Sequence, residues 1–227
     1  MRIGGLTRCS LIDFPGQVSA IIFTIGCNFR CPYCHNPELV DETADIIPTE
    51  DVLDFLHTRI KQLDGVTITG GEPTMHDDLI PFIKEIKALG FKVKLDSNGT
   101  NPAMLERLIN EELVDYLAMD IKAPFSDYAS GVGRPVDVEK IKESVRLIMS
   151  NTIPYEFRTT VVKALLSSED IINISKDIKG AKKYYLQKSV STKILNPGFI
   201  KKTTYTDEEF KEIQKSVQKY VAECYVR

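Results

Sequence analysis

The sequence predicts an α/β protein whose parallel sheet curls into a partial (β/α)6 barrel, and three observations carry that expectation. Short β-branched and aromatic runs alternate with stretches of helical periodicity from residue 18 to the C-terminus, with no Gly/Ser- or Pro-rich linker between them. The 227 residues, 43% of them hydrophobic, suffice to bury roughly 70% of the surface that the unfolded chain exposes. Polar and glycine-rich motifs recur where strands end, the edge at which β/α folds collect their active sites. At about 150 residues per domain two domains would fit, but β/α barrels run past 200 residues as one unit. A single domain over 1–227 is therefore expected, with a core at about 15–190 and a C-terminal extension, 191–227, that carries a helix.

Strands are expected at 18–24, 65–69, 92–96, 116–120, 155–162 and 184–187. Between them lie helices at about 49–62, capped by Pro48 or Thr49, and 76–89, ended by Gly90. A third follows at 102–110, with Asn101 as cap and Pro102 in the first turn. Further helices are expected at 137–149, at 168–178 behind Ser167 or Ser168, and at 206–222. Apolar residues recur at helical spacing, as in Leu79, Phe82, Ile83, Ile86 and Leu89, so each helix has one stripe to bury against the sheet. The intervening Lys and Glu form a solvated outer face.

Twenty-nine basic and 32 acidic residues give a net charge of −3. They are interleaved throughout, which argues against nucleic acid or an anionic membrane as the main partner. The longest apolar run, 18–25, is broken by Ser19 and Thr24 and falls far short of the ~20 residues of a membrane span. No secretory signal is read in MRIGGLTRCSLIDFPG. A cytoplasmic protein is expected. Of the five cysteines, Cys27, Cys31 and Cys34 fall within eight residues, which is not the layout of a disulfide scaffold.

The run GCNFRCPYCHNPEL starts where the first expected strand ends. Three thiolates so close can wrap one compact centre, and three ligands leave one iron of a cubane cluster open to a chelating small molecule. Cys27, Cys31, Cys34 and His35 could instead hold zinc, although the adjacent Cys34 and His35 side chains point apart. A redox pair of Cys31 and Cys34 would leave Cys27 without a role.

CNFRCPYCHN resembles the signature loop of the radical S-adenosylmethionine (SAM) superfamily, with Tyr33 as the aromatic before the last cysteine. SLIDFPG followed by that loop and NPEL is similar to the activating enzymes of glycyl-radical enzymes, above all to the anaerobic ribonucleoside-triphosphate reductase activating family. The resemblance is dense over residues 1–40, recurs as short motifs to about 190 and is weak in the last 35. It implies a 4Fe-4S cluster on Cys27, Cys31 and Cys34, and SAM bound beside Tyr33. It also implies that GGEP (Gly70, Gly71, Glu72) binds the SAM amino group. Two glycines allow the close backbone approach this needs.

The resemblance further assigns the ribose and methionyl parts of SAM to Asp96, Ser97 and Asn98 after the third expected strand, and to Asp120 and Lys122 after the fourth. Asp120 and Lys122, at i and i+2, share a face and could equally form a simple ion pair. Arg158, inside the apolar run YEFRTTVV, needs a carboxylate partner, either a core residue or that of SAM. The resemblance favours SAM, and adds Gln187 as a contact. The glycine-rich pattern usual on the fifth strand of that superfamily is not evident here. Residues 131–135, GVGRP, read either as a flap or as a turn. His57 and His76 are expected at the surface, Cys9 and Cys224 as free thiols.

By the same resemblance, the cluster and SAM would supply a 5'-deoxyadenosyl radical that takes a glycine Cα hydrogen from a partner enzyme. No second cysteine set is present in the sequence, so electrons would come from an outside reductant such as flavodoxin or ferredoxin. Three alternatives stay open: an activase of another glycyl-radical enzyme such as pyruvate formate-lyase, a small-molecule radical SAM enzyme such as a deazaguanine synthase, and a non-catalytic zinc-binding module.

Overall fold

A computed structural model describes residues 1–189, 194–199 and 204–227. All six expected strands form: β2 (Ser19–Thr24), β3 (Gly65–Gly70), β4 (Lys92–Ser97), β5 (Tyr116–Asp120), β6 (Tyr155–Val161) and β7 (Lys183–Lys188). Two more extend the sheet, β1 (Ile3–Ser10) and β8 (Glu223–Val226). The order is β1-β2-β3-β4-β5-β6-β7-β8, with β1 antiparallel to β2 and every later pair parallel. Each parallel strand is added on the same side of the last, so right-handed crossovers put all the connecting helices on one face. The sheet then curls around the other face, as expected of a partial barrel.

The helices are α1 (Pro37–Val40), α2 (Thr49–Thr58), α3 (Leu79–Ala88), α4 (Pro102–Asn110), α5 (Tyr128–Val132), α6 (Val138–Ser150), α7 (Ser168–Asp177) and α8 (Asp207–Val217). Their starts follow local chemistry. Asn101 accepts from the Met104 N–H ahead of Pro102, while Ser167 with Asp170 and Thr206 with Glu209 form reciprocal capping boxes. α2 stops four residues short of the expected end, because Lys61 takes a left-handed turn at φ +66°. α3 starts three residues late, after a 3-10 turn over Pro73–Met75.

Period-2 alternation sorts the strands. Val93, Leu95, Leu117, Met119, Phe157 and Leu186 belong to the buried core beneath the helices, and the residues between them face the concave side. That side is polar: Lys94, Asp96, Asp120 and Arg158 stand there in neighbouring rows. The expected C-terminal extension in fact supplies α8 and β8, and β8 continues the sheet alongside β7. Within that extension, 191–193 and 200–203 lie outside the described residues.

Candidate active site

β2 ends at Thr24, and residues 25–36 cross the C-terminal edge of the sheet without helix or strand. Internal bonds shape this stretch: Cys34 donates its N–H to the Cys31 carbonyl at 2.9 Å, and Gly26 donates to the Leu39 carbonyl at 2.8 Å. Cys27, Cys31 and Cys34 all open on one cavity of about 200 Å3. Tyr33, Gly70, Gly71, Glu72, Asp96, Ser97, Asn98, Asp120 and Lys122 line the same cavity. The motifs expected at four strand ends are thus gathered at one place.

Gly70 and Gly71 are needed for contact with the cysteine loop. Gly70 sits at φ +112°, and a Cβ there would lie 2.4 Å from the Thr24 nitrogen; one on Gly71 would lie 1.9 Å from the Gly26 oxygen. Both figures are below any tolerable separation from backbone, so the two loops meet only because these residues lack side chains. The N–H groups of Gly71 and Glu72 are spent on the carbonyls of Thr24 and Gly26.

Glu72 is turned inward. Its carboxylate accepts from the Thr74 N–H (3.1 Å) and hydroxyl (2.5 Å), the Ser97 hydroxyl (2.8 Å) and the Asn98 N–H (2.6 Å). Burial raises its pKa against these four bonds. Glu72 therefore ties the GGEP turn to the end of β4. Asn98 in turn donates to Asn28 Oδ1 at 2.8 Å and accepts from Thr100.

Arg158 does not line the cavity; it lies behind it between two carboxylates. Nε donates to Asp120 Oδ1 at 2.7 Å and Nη1 to Asp96 Oδ2 at 2.9 Å. Lys122 reaches the other Asp120 oxygen at 2.9 Å, and buried Lys94 pairs with the other Asp96 oxygen. The result is an alternating ladder, Lys94, Asp96, Arg158, Asp120, Lys122, with three positive and two negative charges. Burial alone would raise the Asp120 pKa, but Arg158 and Lys122 outweigh it and hold the carboxyl well below the usual range. Asp96 is lowered by Arg158 and Lys94 in the same way.

Of the two partners the sequence left open for Arg158, the structure shows core carboxylates. Asp120 and Lys122 form the simple ion pair that was the alternative reading, while both still face the cavity. Gln187 is not among the residues lining the cavity. Lys94, Thr69 and Thr160 were not singled out from sequence. In KVKLDS the period-2 alternation does place Lys94 on the face of Asp96, and that was the available signal. Residues 131–135 close α5 and lead to α6: Gly131 and Val132 are its last, buried residues, Gly133 caps it, and the Arg30 N–H donates to the Val132 carbonyl at 2.9 Å. His57 and Cys9 are exposed and Cys224 is a free buried thiol, but His76 is half-buried, and burial lowers its pKa.

The donor set suits an iron–sulfur cluster better than one ion. A tetrahedral zinc needs its sulfurs about 3.8 Å apart, whereas in a cubane each thiolate takes a separate iron. Among the described residues no three His, Cys, Asp or Glu gather as a single ion requires. Burial pushes the Cys27 thiol up to about 12 and raises Cys31. The Phe29 N–H, 3.4 Å from Cys27 Sγ, is already placed to stabilise the thiolate.

The sequence pattern of the Radical SAM superfamily matches residues 21–179, from within β2 through α7, which takes in the cysteine loop, GGEP, the ends of β4 and β5 and Arg158 but neither SLIDFPG nor Gln187. The chain belongs to the radical SAM superfamily. A protein of Methanocaldococcus jannaschii named as a candidate glycyl-radical enzyme activating enzyme is 35% identical to this radical SAM protein, over 99% of this chain and 95% of that one. The pyruvate formate-lyase-activating enzyme of Listeria monocytogenes is 33% identical over 53% of each chain. Among solved structures, Streptococcus suis SuiB superposes with a TM-score of 0.68 over 91% of this chain and 48% of that one, at 15% identity. That likeness is one of fold alone. With a full-length relative of the activating group, this radical SAM protein is an enzyme of that class. Among the described residues no helix is long and apolar enough to cross a membrane.

Proposed function

We propose that this chain generates a glycyl radical on a partner enzyme, with anaerobic ribonucleoside-triphosphate reductase as its target. The observation that carries the reading is the convergence of Cys27, Cys31 and Cys34 with the Gly70-Gly71 turn and the Asp96 and Asp120 strand ends on one cavity. The choice of reductase rests on the resemblance of SLIDFPG and CNFRCPYCHN. The Listeria monocytogenes relative favours a second reading, a formate-lyase target.

In this reading the three cysteines hold a 4Fe-4S cluster and the cavity binds SAM beside Tyr33. Bound there, these groups would supply one-electron reductive cleavage of the sulfonium and, through it, abstraction of the glycine hydrogen atom, with methionine and 5'-deoxyadenosine as products. The chain's part is to bind and orient. The Gly71 and Glu72 N–H groups of the GGEP turn are spent, so what these residues present to a ligand is carbonyl oxygen, which suits an amino group. The charge ladder carries one positive charge in excess, which suits the methionyl carboxylate, with Lys122 as the cavity-lining cation. Asn98, Asp96 and Asp120 supply polar contacts to the ribose, while Glu72 and Arg158 act by fixing those residues. Gln187 is kept as an outlying contact. The electron comes from a flavodoxin or ferredoxin in the cytoplasm, and residues 1–227 act as one domain.

The test is anaerobic reconstitution followed by incubation with SAM and a reductant. Expected are about four irons and four sulfides per chain, with slow release of 5'-deoxyadenosine that accelerates when the reductase is added. Zinc at one per chain with no sulfide would overturn the reading.

A further inference from the structure

The cysteine loop is gripped from two sides by chain that carries none of its ligands. On one side the Arg30 N–H donates to the carbonyl of Val132, the last residue of α5, at 2.9 Å. On the other, the segment beyond β7 returns across the loop: Leu195 donates its N–H to the Cys34 carbonyl and Asn196 to the Pro32 carbonyl, each at 2.9 Å. Ile194, next to them, is buried and anchors the segment. Two of these bonds fall on the Cys31–Cys34 turn itself, which the Cys34 N–H closes on the Cys31 carbonyl.

We infer that residues 194–196 are a strap, a positioning element that holds the backbone around Cys31 and Cys34 so that the three sulfurs stay aimed at one centre. The inference rests on the reading of those cysteines as cluster ligands. Residues 25–36 have neither helix nor strand, so bonds of this kind are what keeps the loop from opening locally. Opening lets thiolates leave their irons one at a time, and the strap slows that step without touching the cofactor. Its contribution is backbone N–H, so it tolerates side-chain change and fails where the donor is removed.

The experiment compares reconstituted wild type, Leu195→Pro and Leu195→Ala. Proline deletes the donor to Cys34, and alanine keeps it. Iron transfer to a ferrous chelator should be about fivefold faster in Leu195→Pro, the factor set by one net hydrogen bond. Leu195→Ala should match wild type, and the electron paramagnetic resonance spectrum of the reduced cluster should broaden only in the proline variant. A folded Leu195→Pro with wild-type iron retention and spectrum overturns the strap. Where that variant does not fold, amide exchange on the wild-type apoprotein decides: the Leu195 and Asn196 amides should be protected, and exchange at the rate of unstructured chain overturns the inference. Failure of wild type to assemble any cluster would count against the proposed function, and the apoprotein exchange would still judge the strap.

Discussion

Arg158 and Asp120 are joined by a 2.7 Å bond from Nε to Oδ1, across the register pairing of β6 with β5. Because Nη1 of the same guanidinium reaches Asp96 on β4, one side chain crosses three strands and keeps two carboxylates apart on the floor of the cavity. Arg158→Met would leave Asp96 and Asp120 with one ammonium each and nothing between them. Removing one partner of a buried ionic group costs about 3–5 kcal/mol, to be read as a lower urea midpoint. Arg158→Lys should recover only part of this, since a single ammonium lacks the fork that serves both acids.

The ladder also sets a pH dependence. Asp120 and Asp96 are held below their unfolded pKa, which lies near 4. Such groups contribute stability above the unfolded value and lose it as the pH falls through the folded value. Wild type should therefore lose stability progressively below about pH 4, and Asp120→Asn, already less stable at pH 7, should fall less steeply. Equal slopes, measured by urea midpoints from neutral to acid pH, would remove the ladder from the account.

Gly71 should tolerate no side chain. A Cβ there would stand 1.9 Å from the Gly26 oxygen, so even Gly71→Ala must push the GGEP turn away from the cysteine loop. Expected are at most half of wild-type iron occupancy and weaker SAM binding by calorimetry. Full occupancy with unchanged affinity would show that the two loops can separate at no cost.

Much of this was legible in the sequence because it is local. The six central strands announced themselves by apolar runs, and Asn101 and Ser167 marked helix starts that the structure keeps. The site's membership was legible for the same reason, since each motif ends a strand and a parallel sheet brings strand ends together. β1 was missed because Gly4 and Gly5 break its alternation: a Cβ on Gly4 would lie 2.6 Å from Leu39, so the glycine belongs to packing that no local pattern encodes. β8 lies just past the expected end of the last helix, and its four residues are too few for an alternation to show. Whether Arg158 pairs with a core acid or a ligand depends on which strands are neighbours; Lys94 shares the face of Asp96 by local alternation, but the link from Asp96 to Arg158 crosses from β4 to β6.

Cys27, Cys31 and Cys34 share one loop and one cavity, whereas Cys9 and Cys224 lie elsewhere in the fold. Alanine at any of the first three should lower iron and sulfide content, with Cys9→Ala and Cys224→Ala at wild-type occupancy. Metal analysis of anaerobically reconstituted protein checks this, and normal occupancy in one of the loop variants would release that cysteine from the ligand set.

The most direct measurement for the proposed activity is electron paramagnetic resonance of the reconstituted protein, incubated with SAM, a reductant and anaerobic ribonucleoside-triphosphate reductase. A glycyl-radical doublet is predicted, lost when the reductase glycine is replaced by alanine and lost with Cys31→Ala in this chain. A doublet seen with a formate-lyase and not with the reductase would transfer the target to that enzyme. Turnover of a free small molecule with no protein radical on either partner would contradict the activating role itself.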